Sequence, residues 1–397
     1  MSERYDLIVV GAGISGLAMA FEAKMAGQKV LVLEKSERAG GCFDSATVAG
    51  EKPFWLEMGT HTCFNSYGRL LKIFDKLGLM DQLSAREKQS YKMLADEQLV
   101  SIPSRLKFLE LFANAWRIFS ATKDGKSVAD YYRAIVGPKN YQNVFRHAFN
   151  AVICQQADEV PADMLFRKRP RDKSVMRSYT FPEGLSRIIS ELEKRVQCRT
   201  GVKIEEITFD KNHGFAVALA DTTLHAERLA IATPVLAASR LLQGAFPDVA
   251  EQLGWVNEVE IESVGIVINR NDLELDPVAG IIAVDGDFYS AVSRDYIADA
   301  ELRGFAFHFK PGMLDDEAKV ERICKLLNVK RRKLVAVFHK TNRLPAPDMG
   351  HHTLMAKVDE LLDGKPLALV GNYFEGVAVE DCLARVESEF SRLSGQI

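Results

Sequence analysis

The sequence predicts an α/β protein that opens with a strand–helix–strand unit and continues into a mixed sheet. Two observations carry this prediction. The apolar runs YDLIVV (5–10) and KVLVLE (29–34) have the β-branched composition of buried parallel strands. Between them, LAMAFEAKMAG (17–27) has apolar residues at helical spacing and ends in a glycine, which suits a helix C-terminus.

The turn between the first strand and the helix has glycines in a G-x-G-x-x-G frame. Gly11 allows a tight turn, Gly13 lets a pyrophosphate approach the backbone, and Gly16 lets the helix pack on the strand. Free N–H groups at the helix start, around Ser15, favour phosphates, and Glu34 can accept hydrogen bonds from ribose hydroxyls. The motif in this context predicts a dinucleotide site.

A second glycine pair follows the acidic residue, in EKSERAGGCFDS. This stretch resembles the opening of the amine oxidase superfamily of FAD enzymes, so the pair Gly40–Gly41 implies FAD rather than NAD. The resemblance implies a glutathione-reductase-type FAD-binding Rossmann domain. The family usually has arginine after the second glycine, where this chain has Cys42. A phosphate-facing cation is then missing or supplied from elsewhere, with Lys35 and Arg38 as nearby candidates.

Two further segments carry the same resemblance. LEMGTHTCF (56–64) is similar to the family segment that returns along the isoalloxazine ring, which implies that Thr60 and His61 lie near the flavin. A lone histidine is more often structural, so a catalytic role for His61 is one of two alternatives. Val202 matches a family valine whose backbone contacts the adenine.

The C-terminal segment is most similar to protoporphyrinogen oxidases. In LALVGNYFEGVAVEDC (367–382), a strand leads through a glycine-containing turn into a helix with an acidic start. By this resemblance Gly371, Asn372, Gly376 and Val377 bind the cofactor. The helix N-terminus would face flavin N1 and O2 and stabilise the reduced flavin.

The chain divides into three predicted parts, and 397 residues suffice for all of them. A discontinuous FAD-binding domain spans 1–80, 181–240 and 346–397. A mostly helical insertion spans 81–180. A substrate-binding domain built on a mixed sheet spans 241–345.

The resemblance implies an FAD-dependent oxidoreductase that takes hydride equivalents from a small-molecule substrate to flavin N5. The strand IESVGIVIN (261–269) lacks the lysine that many amine oxidases place near N5. This counts against amine oxidation and, together with the resemblance of the C-terminal segment, favours a porphyrinogen-like or other cyclic or pyrrolic substrate. A flavin amine oxidase, a carotenoid-type desaturase and a flavin-binding accessory protein without catalysis stay open as alternatives.

Charge and cysteine content argue against other classes of protein. A net charge of −3 gives no reason to expect nucleic acid as a partner. The six scattered cysteines contain no C-x-x-C pair, which predicts reduced thiols in a cytoplasmic protein and no metal site. The N-terminus leads directly into a strand without a secretory signal, and no apolar run approaches the roughly 18 residues of a spanning helix.

Two segments suggest surface functions. SRLKFLELFANAWRIFSA (104–121) places aromatic residues on one helical face with basic residues at its margins. It predicts either a core helix or peripheral contact with the inner face of a membrane. The basic run RKRPRDKSVMR (167–177) is a solvated loop, a rim that attracts a carboxylate-bearing substrate, or a contact with anionic lipid.

Overall fold

The computed structural model of the protein describes residues 3–50 and 53–395. The ends of the predicted segments 1–80 and 346–397, and residues 51–52, therefore lie outside the described residues. The strands are β1 (Arg4–Val10), β2 (Val30–Leu33), β3 (Ser45–Val48), β4 (Phe54–Glu57), β5 (Cys63–Phe64), β6 (Ser84–Ala85), β7 (Tyr91–Ala95), β8 (Gln98–Ser101), β9 (Ser178–Thr180), β10 (Gln197–Arg199), β11 (Ile204–Asp210), β12 (Gly214–Leu219), β13 (Thr223–Ile231), β14 (Glu258–Asn269), β15 (Gly280–Ala283), β16 (Phe288–Ser293), β17 (Leu302–Phe309), β18 (Leu334–Pro345) and β19 (Leu367–Leu369). The helices are α1 (Ile14–Met25), α2 (Gly68–Leu77), α3 (Ile102–Arg105), α4 (Phe108–Ala115), α5 (Val128–Val136), α6 (Pro138–Asn140), α7 (Arg146–Ile153), α8 (Ser186–Glu193), α9 (Val235–Leu242), α10 (Pro247–Gly254), α11 (Asp316–Leu327), α12 (His351–Leu362) and α13 (Val379–Ser394).

The first sheet contains the predicted strand–helix–strand unit. Its strands lie in the order β10–β2–β1–β13–β12–β11, and β19 also pairs with β13. Strands β10, β2, β1, β13 and β19 are parallel, whereas β11 and β12 form an antiparallel extension. Leu7 and Val9 pack with α1, α2, α8 and α13, while Ile8 and Val10 pack with α9, α10 and α12. Helices thus cover both faces, as a buried parallel sheet requires, and the predicted Rossmann-type unit is confirmed.

The second sheet has the order β18–β14–β17–β16–β15–β7–β8 and is antiparallel except between β15 and β7. Alternation along β17 separates its two faces. Phe305, Phe307 and Phe309 belong to the core that packs on α11. Gly304 and His308 lie on the opposite face, where a Cβ on Gly304 would meet side chains of β4. This second face covers the segment that follows β4.

The boundaries between the parts differ from those in the sequence prediction. Segment 81–180 contains α3 to α7, but it also contains the β7–β8 hairpin, which joins the second sheet through β15. The α10 helix lies within the range predicted for the sheet domain, yet it packs with α9 and α12 on the first sheet. Both differences arise because partners distant in sequence bury these elements.

Segment 104–121 is not one helix. It consists of the end of α3, an extended break at Leu106, then α4 and a 3-10 turn over Trp116–Phe119. Leu109 and Phe112 are 88% and 73% exposed, so the prediction of a core helix is wrong. Within the described residues, no helix is both long and apolar enough to cross a membrane.

Candidate functional site

The glycines before α1 leave room for a ligand at a helix N-terminus. Gly11 has φ +102°, and a Cβ there would lie 2.7 Å from the carbonyl oxygen of Ala232. A Cβ on Gly16 would lie 1.9 Å from the carbonyl oxygen of Gly11, so the close packing of α1 requires glycine. Gly13 is different because nothing lies within 4 Å of its Cβ position, and no side chain caps α1 there. Gly13 therefore offers the helix N-terminus to an anion such as a pyrophosphate.

Glu34 links this turn to the end of β2. One carboxylate oxygen accepts from the N–H of Ala12 at 2.8 Å, and the other accepts from the N–H of Ser36 at 2.8 Å. The remaining lone pairs can still accept from ribose hydroxyls. The N–H of Val202 donates to the carbonyl oxygen of Glu34 at 2.8 Å. That N–H is already used, which leaves the Val202 carbonyl and side chain for an adenine.

The Gly40–Gly41 loop lies against the turn at Gly13. Gly13 and Gly40 form an isolated β-bridge, and a Cβ on Gly41 would lie 3.6 Å from the Gly13 Cα. The N–H of Thr60 donates to the carbonyl oxygen of Cys42 at 2.8 Å. These contacts bring the candidate residues of three separate segments around the open space at Gly13, which we call the cleft, although Ser15 is buried in α1 beside the Cys382 thiol.

Two cations hold the Gly40–Gly41 loop. The Arg38 guanidinium donates to the carbonyl oxygens of Gly41 and Phe43 and pairs with Asp44 at 2.8 Å. Lys340, from β18, donates to the Gly41 carbonyl oxygen at 2.8 Å and pairs with Asp44 at 2.9 Å. The sequence analysis named Arg38 but missed Lys340. The other candidate, Lys35, is exposed.

A buried carboxyl group fixes the end of β4 before the cleft. Glu57 is 1% exposed and accepts from the N–H of Leu185 at 2.7 Å and from the Ser45 hydroxyl at 2.9 Å. Burial raises the pKa of Glu57 to about 7, against the opposing effect of these hydrogen bonds. The position of residues 58–61 is therefore set by contacts on both sides of β4.

His61 meets a second histidine that the sequence analysis missed. Nε2 of His61 lies 2.9 Å from Nε2 of His308, and Nδ1 of His308 lies 2.9 Å from the Ser263 hydroxyl. Burial is the main cause that lowers the pKa of His61 well below its usual value and that of His308 to about 4. Both imidazoles are therefore neutral near pH 7. One ring donates and the other accepts across the Nε2–Nε2 contact.

Arg86 orients the His61 backbone. Its guanidinium donates to the His61 carbonyl oxygen and to the Thr62 hydroxyl. It also lies 3.5 Å from the centre of the Tyr296 ring, as a cation–π contact. His61 is thus held by its backbone as well as by its ring.

Strand register explains why these polar residues meet. Ser263 on β14 is the direct partner of His308 on one side and of Lys340 on the other. Two positions along β18, the Asn342 amide donates to the Met58 carbonyl oxygen at 3.0 Å. Polar residues in otherwise apolar strands were visible in the sequence, but their pairing was not.

The C-terminal turn leads into α13. Gly371 follows β19, and Asn372 and Val377 are partly exposed in the turn. No side chain caps α13, because its N-cap residue is Ala378, and the first-turn Glu380 accepts from the N–H groups of Arg69 and Leu70 at the start of α2. The N-terminus of α13 is therefore available to a ligand group, and the flavin contact there stays a prediction.

The basic run 167–177 is partly neutralised. Arg167 pairs with Glu375 at 2.7 Å, and Arg169 pairs with Asp381, the residue whose carboxylate a Cβ on Gly376 would meet. These pairs tie the run to the turn before α13. The other cations of the run are exposed: Lys168, Arg171, Lys173 and Arg177.

The polar groups of the cleft suit FAD. The uncapped N-terminus of α1, the Glu34 carboxylate and the uncapped N-terminus of α13 are the kinds of groups that bind a pyrophosphate, a ribose and a flavin ring. Among the described residues, no group of three or more histidine, cysteine or acidic side chains could hold a metal ion.

Comparisons with known proteins support this reading of the cleft. Residues 9–77 match the family described as NAD(P)-binding Rossmann-like domain. The chain is 34% identical over 79 residues to a probable flavin-containing monoamine oxidase A of Dictyostelium discoideum, which covers 20% of this chain and 17% of that protein. It is 36% identical over 93 residues to the mitochondrial protoporphyrinogen oxidase of Nicotiana tabacum, which covers 23% and 17%. These matches span less than a fifth of each relative.

The fold extends the similarity to the whole chain. A candidate protoporphyrinogen oxidase from Exiguobacterium sp. 255-15 superposes with a TM-score of 0.81 at 18% identity and covers 100% of both chains. Residues 9–77 are therefore similar to the NAD(P)-binding Rossmann-like domain family, and the whole chain has the fold of this candidate protoporphyrinogen oxidase.

Proposed function

We propose that the protein is an FAD-dependent oxidoreductase that removes a hydride from a carbon atom of a porphyrinogen-like or other cyclic or pyrrolic substrate. The observation that carries this proposal is the neutral His61–His308 pair beside the FAD cleft. When bound, FAD supplies the hydride acceptor. The similarity of fold to a candidate protoporphyrinogen oxidase supports the substrate class.

His61 is proposed as the group that accepts the proton. A pyrrolic substrate that loses a hydride from carbon also loses a proton from nitrogen, and this proton needs an acceptor. A neutral imidazole has one free lone pair, which for His61 is that of Nδ1 when its Nε2 donates to His308. His308 and Ser263 are proposed to orient the His61 ring through their hydrogen-bond chain.

Anaerobic flavin reduction tests this proposal. The purified holoprotein is mixed without oxygen with porphyrinogens, pyrroles, amines and polyenes, and the flavin absorbance is followed. A porphyrinogen or pyrrole is expected to bleach the flavin. His61→Gln should slow the bleaching by about 10²-fold or more, because it removes the proton acceptor.

His213→Gln is the matched control, since His213 is an exposed histidine at a turn and should leave the rate unchanged. Bleaching by amines alone would favour the amine oxidase alternative, and bleaching by polyenes alone the desaturase alternative. No bleaching by any compound of the panel would favour the accessory protein.

A second part of the proposal concerns an anionic membrane surface. The residues that we call the aromatic face are 49–92% exposed: Phe108, Leu109, Phe112, Trp116 and Phe119. The single acid of this segment is turned inward, because Glu110 accepts from the N–H groups of Lys139 and Asn140. Lys107 and Arg117 are exposed beside the face. Exposed aromatic residues flanked by cations suit the interface of anionic lipid.

Co-sedimentation with vesicles that contain phosphatidylglycerol tests this contact. Wild type is expected to sediment with the vesicles, whereas a Phe112→Glu/Trp116→Glu variant should remain in the supernatant. Because both side chains are exposed, the variant should fold normally. Trp255→Glu is the control, since Trp255 is 69% exposed outside the aromatic face. A wild type that stays in the supernatant, or that self-associates through this face, contradicts the proposal.

A further inference from the structure

We infer that Lys340 supplies the positive charge that holds the phosphate side of bound FAD, a charge that the side chain at position 42 cannot provide. The inference rests on FAD as the cofactor of the proposed function. It concerns affinity for the cofactor and is independent of the substrate.

The first argument is charge. Arg38 and Lys340 both pair with the same carboxylate, Asp44, so these three side chains carry one net positive charge. Both cations also donate to the carbonyl oxygen of Gly41. Gly41 lies beside Gly13 at the start of α1, since a Cβ on Gly41 would be 3.6 Å from the Gly13 Cα. The excess charge therefore lies next to the helix N-terminus that offers its N–H groups to an anion.

The second argument is burial. The Lys340 side chain is 14% exposed, whereas that of Arg38 is 47% exposed. A charge that is screened less by water interacts more strongly with a phosphate. The Arg38 guanidinium is also occupied by the backbone carbonyl oxygens of Ala39 and Phe43, as well as by Asp44. Of the two cations, Lys340 thus has the stronger effect on a bound anion.

The third argument is position. The Lys340 ammonium reaches the Gly40–Gly41 loop from a strand 299 residues further along the chain. It lies beside Cys42. Burial raises the pKa of the Cys42 thiol, and the charge of Lys340 opposes this shift. A cation from β18 therefore lies next to residue 42, whose own side chain is neutral.

Two variants distinguish an electrostatic role from a structural one. Lys340→Met removes the positive charge, and Asp44→Asn removes its counter-charge. If Lys340 attracts the phosphates, Lys340→Met should raise the FAD dissociation constant by about 10-fold, which corresponds to one charged hydrogen bond. Asp44→Asn should lower the dissociation constant, because the excess positive charge grows. If the ion pair only holds the loop in place, both variants weaken FAD binding.

The measurement is the fluorescence of FAD released when the full-length holoprotein is diluted in series. Cys42→Arg in the Lys340→Met background should restore most of the lost affinity. Lys310→Met is the matched control, since Lys310 also donates to one backbone carbonyl oxygen, that of Gly286 at 2.6 Å. Three results would overturn the inference: an unchanged dissociation constant in Lys340→Met, a higher dissociation constant in Asp44→Asn, or no rescue by Cys42→Arg. If Lys340→Met does not fold, Asp44→Asn still decides. A protein that binds FAD with these shifts but oxidises no substrate would contradict only the proposed reaction.

Discussion

Gly13→Val is expected to abolish FAD binding and to leave the fold intact. Gly13 has φ −73° and ψ 178°, an extended conformation that valine adopts readily. Nothing within 4 Å obstructs a Cβ at this position. The valine side chain would instead occupy the space in which a pyrophosphate approaches the N-terminus of α1. FAD binding is lost because the valine side chain fills the position of the pyrophosphate. The fold is retained because the backbone at residue 13 is unstrained.

The measurement is the ratio of flavin to protein absorbance after purification, together with circular dichroism. Gly68→Val is the matched control, because Gly68 at the start of α2 also has nothing within 4 Å of its Cβ position. It should retain wild-type flavin content. A Gly13→Val protein that remains yellow with an unchanged spectrum would show that FAD does not bind at this turn.

Arg303→Met is expected to destabilise the second sheet by about 3–5 kcal/mol, the usual effect of removing one partner of a buried ion pair. Arg303 and Asp295 have side chains that are 3% and 2% exposed, and they form two hydrogen bonds of 2.9 and 2.6 Å. The variant leaves the Asp295 carboxylate buried without a cation, and it retains the hydrogen bond from the N–H of Val278 at 3.0 Å. Uncompensated charge, rather than lost packing, dominates the effect.

The free energy of unfolding is measured by urea denaturation of the holoprotein. Arg343→Met serves as the control, because Arg343 lies in the same sheet and pairs with Glu260, but both side chains are about half exposed. Exposed pairs contribute little to stability, so its unfolding midpoint should stay close to that of wild type. Equal midpoints for the two variants would contradict the importance of burial for the Arg303–Asp295 pair.

The sequence was most informative where local patterns determine structure. Short β-branched runs, helical periodicity and the glycines of the first turn depend only on neighbouring residues, and the predicted Rossmann-type unit is confirmed. The strands β14 to β18 of the second sheet were likewise visible as apolar runs, whereas β7 and β8 lie in the segment predicted to be mostly helical. The roles assigned to single residues such as His61 and Val202 remain predictions.

Exposure of segment 104–121 was not predictable. An apolar stripe at helical spacing has the same appearance in the sequence whether its face lies in the core or on the surface. In the structure, Glu110 accepts hydrogen bonds from the N–H groups of Lys139 and Asn140 in α6, whereas Phe112 and Trp116 are exposed. Only the packing of α4 on its neighbours distinguishes the two cases.

The sequence by itself determined the glycine turn before α1, because Gly11 has φ +102° and a Cβ on Gly16 would lie 1.9 Å from the Gly11 carbonyl oxygen. Only the tertiary structure decided which polar side chains share the cleft. His308 meets His61, and Lys340 meets Gly41, through a strand register that pairs both with Ser263. A register depends on contacts between residues tens to hundreds of positions apart, and local periodicity carries no information about such contacts.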